Sequence, residues 1–132
     1  MIKVLENFLS YGDDVYKLCK VIELYDIETF NKKFDLKQNW PGYRSENLRS
    51  CAPFLYIYLL ELLKIKFELN LQKYKSIEMY THLRLKEDKA KDWIHTDLGD
   101  TVIINLSPTN LSSGTHFYNE SESLINTSFF NQ

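Results

Sequence analysis

His95 and Asp97 stand two residues apart in the stretch DWIHTDLGDTVIINLSPTNLSSGTHFYNE, Asp92 to Glu120. In an extended chain, side chains at i and i+2 point to the same side. The spacing therefore aims an imidazole and a carboxylate at one point. That donor pair suits a first-row divalent metal such as Fe(II). A second His would complete a set of two imidazoles and one carboxylate on one face, with further positions open to other ligands. So short a motif also recurs by chance, and its bland reading is a solvated His–Asp pair at a strand end. The residues that could join it are His116 and Thr115 in GTHFY, and Tyr80, His82 and Arg84, which share one face of an alternating segment.

Elements must hold these residues in place. IKVLENFL reads as a short opening strand. Gly12 and Asp13 give a turn and an N-cap, after which Val15, Leu18, Cys19 and Ile22 recur at helical spacing. Asp26 to Gln38 is mixed, a short helix or a loop. NWPGYRSENLRS, Asn39 to Ser50, is a loop around the turn dipeptide Pro41-Gly42. Pro53 then suits a first helical turn, and Phe54, Leu55, Tyr58, Leu59, Leu62 and Leu63 predict a buried helix to about Lys64. From there the period shortens. Phe67, Leu69 and Leu71 alternate with polar residues, as do Ile77 to Leu85, which predicts strands. Trp93-Ile94-His95 reads as a strand end, TVIINL (Thr101–Leu106) as a β-branched strand, and Thr115–Tyr118 as another. SPTNLSSG is a loop by its turn residues, and SESLINTSFFNQ has no clear period. Helices first and strands after suggest a single α+β domain, with a helical part over residues 1–66 and a β-rich core over 67–132.

Composition narrows the function classes. Among the 132 residues, 44 % are hydrophobic and 26 % charged, which is the balance of a folded chain. The formal net charge of -2, with Lys and Glu mixed throughout, leaves no basic stripe for a phosphate backbone and argues against nucleic acid as partner. The opening MIKVLENFLSYGDD lacks the pattern of a signal peptide, and the most apolar run, Ala52–Leu63, is broken by Glu61 and too short to span a bilayer. The two cysteines, Cys19 and Cys51, lie far apart without an activating motif and read as reduced, buried thiols of a cytoplasmic protein.

The order Y-x-H, WIHTD, TVIINLS, GTHFY resembles the core of the Fe(II)/2-oxoglutarate-dependent oxygenases, in particular their prolyl-4-hydroxylase-like phage and marine-bacterial members. The opening ENFLS and the loop WPGYRS are similar too. The resemblance covers most of the chain and is specific in H-T-D with its flanks and in WPGYR. It implies an antiparallel double-stranded β-helix (jelly roll) behind N-terminal helices. It also implies iron on His95 and Asp97, with 2-oxoglutarate beside it and a Tyr such as Tyr80 in hydrogen-bonding reach of the cosubstrate. Thr115 would contact the cosubstrate from the barrel face. Tyr43 and Arg44 would lie in a loop over the mouth of the site. The substrate itself is not specified.

The sequence departs from that family after Asp97. The family pattern has a distal His several tens of residues on, then a basic residue for the far carboxylate of 2-oxoglutarate. Here the only later His is His116, in the GT-x-F strand that precedes the distal His in the family, and no Arg or Lys follows Lys91. Three explanations stand. The barrel is incomplete, a partner chain completes it, or the site is rebuilt from His116 or His82 with Arg84 as the base. A different class stands beside them, a non-catalytic jelly-roll interaction module. Each residue keeps its ordinary alternative: His116 a strand packing residue, Tyr80 and His82 half-buried on a sheet, Trp40 and Tyr43 packing on a helix, Thr115 a β-favouring residue.

Overall fold

In the computed structural model, residues 3–85, 97, 99–106, 110–118 and 124–130 are described. The chain falls into two units, Met1–Lys20 with Asp92–Gln132, and Val21–Lys91.

The Val21–Lys91 unit opens on strand β1 (Tyr25–Asp26), which runs straight into helix α2 (Ile27–Phe34). Asp26 makes that junction. Its backbone is extended, and its carboxylate accepts the Thr29 N–H at 2.7 Å, satisfying one of the helix's orphan donors. Glu28 in the first turn and Lys32 and Lys33 in the last suit the helix dipole. The helix stops at Asp35, which turns left-handed at φ 53° and donates its N–H to Asn31 O. The Asn31 amide then clamps Gln38 from both sides, donating to its carbonyl and accepting its N–H, each at 2.9 Å. This segment, mixed by sequence, is thus a helix closed at both ends by local hydrogen bonds.

Hydrogen bonds from Thr29, chiefly its backbone N–H, hold the Asp26 carboxyl below the usual carboxylate range. A carboxyl lowered on folding adds stability above its unfolded pKa, and that stability is lost as pH falls through the folded pKa. Asp26→Asn keeps a capping oxygen but cannot titrate. The urea midpoint of the wild type should therefore drop relative to that of Asp26→Asn on acidification below the usual carboxylate range. A gap between the two that stays constant with pH would contradict the cap.

Pro41-Gly42 is a turn with Gly42 at φ 77°, the conformation that a glycine accepts at that position. It delivers the chain to β2 (Tyr43–Arg44), followed by the short helix α3 (Leu48–Cys51). Helix α4 (Pro53–Lys66) starts on Pro53, as the sequence predicts, and buries Leu55, Tyr56, Leu59 and Leu63. The Tyr56 hydroxyl donates to Ile77 O at 2.9 Å and ties the helix to the returning chain. Phe67 closes the helix by donating its N–H to Leu63 O, and Glu68 turns left-handed at φ 53°. The alternation of Phe67, Leu69 and Leu71 is therefore no strand. It spans a helix end and a 3₁₀ turn (Leu71–Lys73).

Strand β3 (His82–Leu83) completes an antiparallel sheet in the order β1-β2-β3, with Tyr25 opposite Arg44 and Arg44 opposite His82. The strand expected over Ile77–Leu85 shrinks to this ladder, extended by Ser45 N–H to Thr81 O at 3.1 Å and Leu48 N–H to Met79 O at 2.6 Å. Leu48, 1 % exposed, and Trp40, 6 % exposed, lie in the core of this unit.

The other unit holds helix α1 (Gly12–Val21), which buries Val15 and Cys19. Its described opening residues 3–9 form no strand, and Asn7 is left-handed at φ 53°. Strands β4 (Asn110–Tyr118) and β5 (Leu124–Phe130) pair antiparallel, with irregular register between Asn110 and Gly114 and between Phe117 and Tyr118. The strand expected from Thr115 begins earlier, and part of the expected loop SPTNLSSG belongs to it. TVIINL is not a strand: residues 101–106 carry no ladder, and Val102 and Ile103 are about half exposed. Trp93-Ile94-His95 lies outside the described residues. Among the described residues the strands form these two sheets and no jelly roll.

Cys19 is buried and Cys51 exposed, so only Cys19 is the buried thiol the sequence suggested. Burial pushes the Cys19 thiol up, and desolvation with the nearby Glu46 does the same at Cys51, so neither is an activated thiolate. Among the described residues no helix is long and apolar enough to cross a membrane.

Candidate functional site

The β1-β2-β3 sheet brings two of the sequence motifs together. Arg44 of WPGYRS pairs with His82 of Tyr80-Thr81-His82, so both belong to one neighbourhood despite their separation in sequence. Trp40 is its centre. The indole is buried, packs edge-on against Phe30 with ring centroids 5.3 Å apart, and donates Nε1–H to Gln38 Oε1 at 3.0 Å. The Arg44 guanidinium lies 4.8 Å from the Trp40 ring centroid and 4.5 Å from that of Tyr80, a cation held by two aromatic faces. Tyr25 meets Phe30 and Phe34 edge-on, Phe30 and Phe34 are tilted against each other, and Lys33 donates to the Tyr25 hydroxyl at 2.8 Å. That hydrogen bond is the main reason the Lys33 ammonium is held above its usual range.

His82 sets its ring edge-on to Trp40 and places Nε2 at 2.6 Å from Pro41 O. A carbonyl only accepts, so Nε2 is the protonated nitrogen in this geometry. An imidazole binds a metal through a deprotonated nitrogen, so this hydrogen bond turns Nε2 of His82 away from the ligand role the sequence left open. Tyr80 gives its ring to Arg44, and Tyr80 and Arg84 are both exposed.

Ser45 carried no signal in the sequence, yet it is 2 % exposed and joins the two motifs. Its Oγ donates to Glu46 O at 2.7 Å and accepts Thr81 N–H at 3.0 Å, while its own N–H donates to Thr81 O at 3.1 Å. Ser45→Ala takes the hydroxyl acceptor from Thr81 N–H. A buried donor left without its partner costs about 1–3 kcal/mol. A fall of that size in unfolding free energy is expected from urea denaturation, and an unchanged midpoint would remove Ser45 from this role.

Asp97 belongs to the other unit. It is exposed, and its Oδ2 accepts the Thr101 hydroxyl at 2.7 Å. A hydroxyl that fixes one carboxylate oxygen is the kind of outer contact that orients metal-ligating carboxylates, and it is equally an ordinary local turn bond. His95 lies outside the described residues. Thr115 and His116 lie in β4, paired with Ser128 and Thr127 of β5. Among the described residues no group of three His, Cys, Asp or Glu side chains forms a metal-binding cluster. The donor types of His95 and Asp97 fit a first-row divalent ion, as two of the three protein ligands that a facial site needs. No family model, curated protein or solved structure matches the chain.

Proposed function

We propose that the chain is an Fe(II)/2-oxoglutarate dioxygenase-like protein built on a jelly roll, with His95 and Asp97 as iron ligands. The observation that carries this reading is the H-T-D pair together with the Thr101 hydroxyl on the Asp97 carboxylate, which restrains the one described ligand. His116 is the third donor that the same unit offers. When bound, iron with 2-oxoglutarate and O2 would supply oxidative decarboxylation of the cosubstrate to succinate and CO2, one oxygen atom going to succinate and the other to hydroxylate a substrate C–H bond. The protein's own part is to hold the donors at one point and to exclude water.

The second reading is a non-catalytic interaction module, or one half of a split oxygenase. The exposure of Val102 and Ile103, two residues of a β-type sequence, favours it, because such side chains usually find a neighbour. Turnover separates the two. In air-saturated buffer with Fe(II), ascorbate and 2-oxoglutarate, the oxygenase reading expects succinate from the wild type by O2-dependent turnover and background succinate from Asp97→Ala. A folded, monomeric wild type that forms no succinate supports the module.

A further inference from the structure

No further inference is drawn: the strongest candidate, the exposed apolar face of α4 formed by Phe54, Ile57 and Ile65, carries nothing because nothing in the structure shows what covers it.

Discussion

Trp40→Ala should lower the unfolding free energy of the Val21–Lys91 unit by about 3–5 kcal/mol, the range for removing a buried aromatic ring. The ring is 6 % exposed, so nearly all of its apolar surface is regained by water or left as a cavity. Four further contacts go with it, among them the edge-on ring of His82. Phe30 loses an edge-on partner, Arg44 loses one of its two aromatic faces, and the Gln38 side chain loses the Nε1–H donor. A domain is stable by about 5–15 kcal/mol, so the change removes a large fraction of this unit's stability. Trp40→Phe keeps a ring against Phe30 and Arg44 and should lie well above Trp40→Ala in stability. Urea unfolding followed by far-ultraviolet circular dichroism reads both variants. A loss below about 1 kcal/mol in Trp40→Ala, the size expected of a surface residue, would show that the indole is not the centre of this core.

If His95 and Asp97 are the ligands proposed above, Fe(II) affinity should fall by at least about a hundredfold in His95→Ala and Asp97→Ala, because even outer contacts of a metal site are worth about 10- to 100-fold. The physical reason is that a site with few protein donors has no reserve. With one of the three proposed donors removed, the chelate loses a bond that the two remaining groups cannot replace. Thr101→Val should fall between, weakening binding by about 10- to 100-fold, because it removes only the hydroxyl that orients the Asp97 carboxylate. That graded order separates an iron site from a solvated His–Asp pair, in which all three variants bind iron as weakly as the wild type. Circular dichroism of each variant shows whether the fold survives. Asp97 is exposed, and its replacement should leave the spectrum unchanged.

Local rules of the chain carried over well where a side chain acts on its own backbone. Pro53 opening α4 and Pro41-Gly42 making a turn are short-range effects, and each is found; of the helical face expected through Val15, Leu18, Cys19 and Ile22, α1 buries Val15 and Cys19, leaves Leu18 exposed, ends before Ile22, and opens on Gly12 rather than after it. They failed where two elements compete for one pattern. Phe67, Leu69 and Leu71 have the period of a strand, but α4 runs on to Lys66, and a helix end followed by a 3₁₀ turn leaves the same apolar spacing. TVIINL has high β propensity, but propensity in a strand is packing against neighbours, and Val102 and Ile103 remain exposed. SESLINTSFFNQ, without a readable period, contains β5, whose pairing with β4 supplies what the sequence did not signal.

The site was legible in part for a similar reason. Residue types alone suggested Tyr80, His82 and Arg44 as chemically interesting. Their meeting depends on an antiparallel register between distant segments, and no periodicity encodes that register. Ser45 is a small polar residue in a turn-rich stretch, and its type does not signal the two hydrogen bonds it shares with Thr81, which join the motifs. For His82, the sequence showed a metal-capable imidazole. The hydrogen bond to Pro41 O engages its Nε2, a contact that the residue types did not signal.

The most direct measurement is an anaerobic Fe(II) titration of the wild-type chain in the presence of 2-oxoglutarate, followed by the visible metal-to-ligand charge-transfer band of the chelate. Iron and 2-oxoglutarate bound at His95 and Asp97 should give a saturable band that ends at one iron per chain and is absent in His95→Ala and Asp97→Ala. No band in the wild type, or a band of equal strength in both variants, would contradict an iron and 2-oxoglutarate site on His95 and Asp97.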